Sequence, residues 1–220
     1  MRLHATALLA VTLSAASLLA ADLDHYKGWD QSPQGYFLTT AERTQWSAIR
    51  TDAEAEKFVA DFVAKRGGEK FTKEVALRAQ NADKYLSIGK VKGSETLRGK
   101  VVILFGPPSG MQVNDRKGRG GYVSSPSTAA VSDLGTSASA SSGGRGGGDS
   151  QTMNAAGTSG VAFKDFTFSF SAKAVPALGT DYDVTIEADA GSGKDRIRDR
   201  KKAAELDEKF EAVAKASIKQ

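Results

Sequence analysis

The block Arg98-Gly99-Lys100-Val101-Val102-Ile103-Leu104-Phe105-Gly106-Pro107-Pro108 constrains the fold more than any other part of the chain. Val101 to Phe105 is an unbroken apolar run with β-branched and aromatic members. Such a run predicts a strand, Lys100–Phe105, buried on both faces. Gly106, Pro107 and Pro108 end it, because proline has no N–H to give to a sheet. A strand of this kind needs apolar layers on both sides, and the rest of the sequence has to supply them.

Upstream the pattern is helical. Thr39-Thr40-Ala41-Glu42 fits a capping box, with Thr39 at the N-cap and Glu42 three positions on. Trp46 and Ile49 follow at helical spacing. Thr51-Asp52-Ala53-Glu54 repeats the signal, and Ala55, Phe58, Val59, Phe62 and Val63 form one apolar stripe behind it. Lys65-Arg66 suit the negative end of that helix, and Gly67-Gly68 can take a left-handed cap. Thr72 is placed to cap a third helix with Val75, Ala79, Ala82 and Leu86 on its inner row. Asp22 to Gln34 is polar and predicts an extended lead-in from which Trp29 docks on the body.

Downstream the composition shifts. Residues 109–160 are dominated by Gly, Ser, Thr and Ala. Ser137 to Gly148 has nothing to bury, and ordering it would cost about 1–2 kcal/mol per residue with no return, which predicts a flexible linker. Order resumes at Val161. Phe166, Phe168 and Phe170 alternate with Thr167 and Ser169, and Tyr182, Val184 and Ile186 alternate again, so the two stretches predict a hairpin. Ala203, Leu206, Phe210, Val213 and Ser217 then step by three or four along a terminal helix.

The first twenty residues read as a secretory leader: Arg2, an apolar stretch from Ala5 to Ala16, and small residues before Asp22. The apolar core is about 15 residues, short of the roughly 20 a membrane span needs. The expectation is therefore an exported chain, periplasmic or extracellular, with no transmembrane span after cleavage. Cysteine is absent, so no disulfide braces the fold. The formal net charge of +4 is too mild to imply long-range steering of nucleic acid.

The order and spacing from Gln34 to Pro108 resemble the GWxTD domain of exported bacterial proteins. That family shows an opening aromatic and helix cap, a helix ending in basic residues, and a Gly-Trp-x-Thr-Asp-Arg-Gly turn before a Gly-Pro-Pro stop. Here the naming turn is Gly93-Ser94-Glu95-Thr96-Leu97-Arg98-Gly99. Thr96, Arg98, Gly99, Gly106, Pro107 and Pro108 match the motif, the tryptophan is missing, and leucine stands where the family has aspartate. The resemblance implies an address and a structural role for these six residues, and no reaction.

The residues offer few of the constellations that catalysis or metal binding needs. His4 and His25 are the only histidines, which removes the usual ligands of zinc and the base of a Ser-His-Asp triad. Asp181, Asp183, Glu187 and Asp189 read as the solvated face of a strand, not as a calcium site. Gly191-Ser192-Gly193-Lys194 lacks P-loop spacing and reads as a turn. Glu74, Glu95 and Asp115 lie near the motif, but no spacing selects a catalytic pair of acids. Two Arg-Gly-Gly pieces, at Arg119 and Arg145, read as solubilising charge and not as an RNA contact. Arg196, Arg198, Arg200, Lys201 and Lys202 are the densest basic run and read as a solvated helix start balanced by Asp195, Asp199 and Glu205.

The expected architecture is α+β. A helical module with one buried strand spans 34–108, a Gly/Ser linker 109–160, and a hairpin with an amphipathic helix 161–220. The two ordered parts either share one sheet or fold apart. If they share it, Phe166, Phe168 and Phe170 pack with Val101, Ile103, Tyr182 and Val184. No catalytic, cofactor or metal residue is assigned. The expected role is a non-catalytic envelope module that contacts another envelope protein. The rivals are a hydrolase of an extracellular polymer, through paired carboxylates the sequence does not single out, and a polyanion-binding module.

Overall fold

The computed structural model describes residues 23–117, 122–128 and 161–218. The stretch 1–20 that reads as a leader, and residues 129–160, lie outside these residues.

The helical module begins where its caps place it. α1 (Thr40–Ala48) opens on the full capping box: Glu42 N–H donates to Thr39 Oγ1, and Thr39 N–H donates to Glu42 Oε2 at 2.9 Å. α2 (Asp52–Lys65) is capped by Thr51, and its stripe buries Ala55 and Phe62. The lead-in is not extended. It winds into short 3-10 turns at Trp29–Gln31 and Gly35–Phe37. Trp29 does dock, with ring centroids 4.9 Å from Trp46 and 5.1 Å from Phe62. α3 (Glu69–Leu86) starts from Gly68, and not from Thr72, which sits inside the first turn. Val75, Ala82 and Leu86 form its buried row.

The central correction concerns Lys100–Phe105. This segment is helix, not strand: α4 runs Leu97–Phe105, capped by Thr96, whose Oγ1 accepts from Gly99 N–H at 3.2 Å. Val101 to Phe105 are all at most 3% exposed. A short helix buried all round is apolar on every face, so its sequence looks the same as that of a strand buried on both faces. Gly106, at φ 83, stops the helix, and Ser109 N–H then donates to Ser169 O at 2.8 Å to start the sheet.

The sheet has five strands in the order β2-β1-β3-β4-β5. β1 is Gly110–Lys117, β2 Tyr122–Thr128, β3 Val161–Phe170, β4 Tyr182–Asp189 and β5 Asp195–Arg196. All neighbours are antiparallel. The predicted hairpin is β3–β4, with Phe166 opposite Ile186 and Phe168 opposite Val184. β1 and β2 correct the reading of 109–160 as linker from its first residue. Met111 and Val113 alternate on β1 and face Phe168 and Phe166. The helical module contributes no strand to this sheet. It contributes α4.

α5 (Arg200–Ala216), capped by Asp199, completes the core. Leu206, Phe210 and Val213 are buried, as its periodicity predicts. Phe105 of α4 lies 5.1 Å from Phe170 of β3 and 5.4 Å from Phe210 of α5. One apolar cluster therefore joins α2, α3, α4, α5 and the inner face of the sheet. The fold is α+β, with α4 as the layer between the helices and the strands.

Candidate functional site: the motif corner and the charged sheet face

The six motif residues do not converge on an open site. Thr96 caps α4, and Gly99 and Gly93 let three backbones stack. A Cβ on Gly99 would stand 1.9 Å from Gly93 O, and one on Gly93 would stand 1.9 Å from Ala82 O. Arg98 is fully buried. Its Nε donates to Leu86 O at 2.7 Å, and its guanidinium pairs with Asp195. Asp195 also accepts from the Arg98 backbone N–H at 2.8 Å. Asp195 thus reaches from β5 to the first turn of α4. Burial pushes the Asp195 carboxyl above its ordinary value, and Arg98 pulls it back. Pro107 is exposed and Pro108 buried.

The outer sheet face overturns one expectation. Glu187 is not solvated. It is 2% exposed and engaged by Arg116 of β1, Arg196 of β5 and Arg198. Arg198 Nε donates to Glu187 Oε2 at 2.7 Å. Asp165, opposite Glu187 on β3, lies 3.5 Å from Arg198 and 3.7 Å from Arg116. Arg116 and Arg196 also sit over the Phe163 ring, at 4.9 and 5.1 Å. The basic run is therefore not simply a solvated helix start. Arg196 and Arg198 precede α5 and are clamped by Glu187 while staying 61% and 49% exposed. Asp195, read as one of their balancing acids, belongs to Arg98 instead.

Beyond the clamp, Arg200 and Lys201 are exposed, and neither forms an ion pair among the described residues. Lys202 reaches Glu205 at 3.1 Å. Asp199 Oδ1 accepts from Lys201 N–H at 2.8 Å as the cap of α5. The corner carries more cations than free acids. Beside it a cavity of about 320 Å³ is lined by Asp165, Asp183, Thr185, Glu187, Arg198 and Lys202 among others. β5 pairs with β4 only at Glu187 and Ala188. Among the described residues the outer edge of β4 from Tyr182 to Ile186 thus has no strand partner, and that edge borders the cavity.

The other acids named in the sequence stay apart. Glu74 pairs with Arg78 on α3, Glu95 lies 3.9 Å from Lys92, and Asp115 takes Lys164 at 2.8 Å. The Gly191–Lys194 segment is a turn held by Asp189 Oδ1, which accepts from Ser192 N–H at 2.6 Å. Those bonds, the Ser192 backbone bond first, hold the Asp189 carboxyl below its ordinary value. Among the described residues, no group of three or more His, Cys, Asp or Glu is placed to hold a metal ion. No helix among them is long and apolar enough to cross a membrane.

The sequence signal for the clamp was available in part. Arg196 and Arg198 alternate, as strand residues facing one side do, but Glu187 falls in step with the polar positions of β4, and only its burial departs from the pattern. Only the pairing of β1 brings in Arg116. No family model matches this chain, and neither a curated protein nor a solved structure matches it.

Proposed function

We propose that this chain is an exported, non-catalytic GWxTD-like module of the cell envelope that works by binding a partner protein. The observation that carries the reading is the open outer edge of β4 beside a rigidly held set of arginines. An unpaired strand edge accepts an extended peptide through backbone hydrogen bonds, and flanking cations select acidic side chains on it. Glu187 supports this role. Its carboxylate contacts three guanidiniums and so fixes those arginines in place beside the edge. The leader and the motif order from Gln34 to Pro108 support the address.

The test uses a fluorescent peptide of alternating Glu and Val. Fluorescence anisotropy should show binding that weakens with salt. A Gln-for-Glu version and a version N-methylated on alternate residues should each bind at least about tenfold more weakly. R198Q/K202Q should lose affinity likewise. If the N-methylated peptide binds as well as its parent while binding still falls with salt, the strand edge is not used and the corner is a plain polyanion surface.

A further inference from the structure

Lys100 and Arg43 differ from the other inward-facing cations. Arg66, Arg78, Arg98, Arg116 and Lys164 each have a carboxylate within ion-pair distance. Lys100 and Arg43 are half-buried, and among the described residues neither forms an ion pair. The Lys100 ammonium instead lies against two rings, 4.5 Å from the Phe210 centroid and 5.8 Å from that of Tyr36. Arg43 makes one long contact, from Nη2 to Gly35 O at 3.4 Å. Like charges set side by side in a partly dry place are unfavourable unless something neutralises them.

Two cavities meet at these side chains. One, of about 190 Å³, is lined by Tyr36, Leu38, Arg43, Lys100, Asp207 and Phe210 among others. The other, of about 240 Å³, shares Tyr36, Arg43 and Lys100 and runs along Leu97 and Glu95. Both are below the roughly 300–1,000 Å³ of drug-sized sites, which points to a fragment-sized ligand. The Tyr36 ring is fixed as a wall because its hydroxyl donates to Ser94 O at 2.8 Å.

The surrounding acids set the ligand's charge. Glu211 is taken by Thr40 N–H at 2.9 Å and by Lys215 at 3.3 Å. Glu95 lies near Lys92, and Asp30, which also lines the second cavity, accepts from Gln31 Nε2 at 2.9 Å. Asp207 has no ion-pair partner among the described residues and lines the first cavity together with Lys100. A dianion would face these carboxylates, whereas a monoanion between Lys100 and Arg43 would not overfill the site. We propose that Lys100 and Arg43 form the anion-binding wall of a small-molecule site, taking an organic monocarboxylate whose apolar body lies against Tyr36, Phe210 and Leu97. Burial and the neighbouring Arg43 already hold the Lys100 amine below its ordinary value, and a bound carboxylate would relieve both effects. This site shares no lining residue with the cavity at the β4 edge, so it goes beyond the partner-binding reading and stands or falls separately.

The test follows the lysine side-chain signals of the full chain by NMR while benzoate is added. The expected result is a saturable shift at Lys100. Benzamide, neutral and of the same shape, should bind at least about tenfold more weakly, and phenyl phosphate more weakly than benzoate. K100M should weaken benzoate binding at least about tenfold, R43Q by severalfold, and K100R should keep most of it. The K100M backbone spectrum away from α4 reports whether the variant is folded. No shift at millimolar benzoate, equal binding of benzamide, tighter binding of phenyl phosphate, or unchanged affinity in folded K100M would each overturn the proposal.

Discussion

Arg98 and Lys100 stand two residues apart on α4, and the protein treats them in opposite ways. Arg98 is enclosed on every side: α3 supplies the Leu86 carbonyl, the turn before β5 supplies Gly193 O, and β5 supplies Asp195. Lys100 projects between two aromatic rings toward open cavities, with a second cation beside it. The first arrangement ties distant segments together. The second leaves the ammonium without a direct ion pair among the described residues, although Asp207 lines the same cavity. A buried charge with its partner is structure, and a half-buried charge without one is an opening for a ligand.

The largest effect should come from breaking the closed region. Arg98→Met leaves Asp195 buried without its cation and should destabilise the fold by about 3–5 kcal/mol, read as a lower midpoint in urea. The double variant R98M/D195L removes both charges and should recover a large part of that loss. If the double variant is as unstable as the single, the pair's value lies in its hydrogen bonds to Leu86 and Gly193 and not in its charges.

Next in size is a second enclosed arginine. Arg66 has a fully buried side chain and bonds both oxygens of Glu42, at 2.9 and 2.6 Å. Burial alone would raise the Glu42 carboxyl, but the Arg66 and Thr39 hydrogen bonds outweigh it, and the net direction is down. A lowered folded value means that the unfolded chain binds the proton more readily. The stability from Glu42 is therefore present above the ordinary glutamate range and is lost as pH falls through and below it. Glu42→Gln should cost about 2 kcal/mol at neutral pH, and the gap to the parent should narrow in acid. A gap that stays constant down to acid pH would remove the ion pair from the account.

Much of this architecture was legible in the sequence, and the exceptions share a cause. α1, α2, β3, β4 and α5 each have one dry face and one wet face, so period and caps reveal them. α4 has no wet face. Val101 to Phe105 are buried all round, and period carries no information when every position is apolar. The local clue was Thr96, a good N-cap standing three residues before Gly99 in a helix of nine residues. β1 was hidden by the Gly- and Ser-rich composition that follows it, although Met111 and Val113 already alternate. The clamp on Glu187 needs Arg116 from a strand about seventy residues earlier, and no local pattern reports a register. The Lys100 site is harder still, because what marks it is the direct ion pair that Asp195 provides for Arg98 and that no carboxylate among the described residues provides for Lys100.

The cap at Thr96 gives an intermediate test of that clue. Thr96→Ala removes the acceptor for Gly99 N–H and should cost about 1 kcal/mol. Since Thr96 also donates to Gly93 O, the loss should show as faster amide exchange at Gly99 and Lys100 before it shows elsewhere.

The smallest expected change sharpens the comparison most, because its sign differs. Lys100→Met takes away a desolvated ammonium that has no ion-pair partner and keeps the aliphatic stem against Phe210 and Tyr36. Without any ligand present, the urea midpoint should stay level or rise, within about 0.5 kcal/mol of the parent. Arg98→Met and Lys100→Met are thus the same kind of substitution, a cation replaced by methionine two positions apart on one helix, with opposite expected consequences. A loss of several kcal/mol at Lys100 would mean that the ammonium has a structural partner after all, and the distinction between a closed and an open end of α4 would collapse.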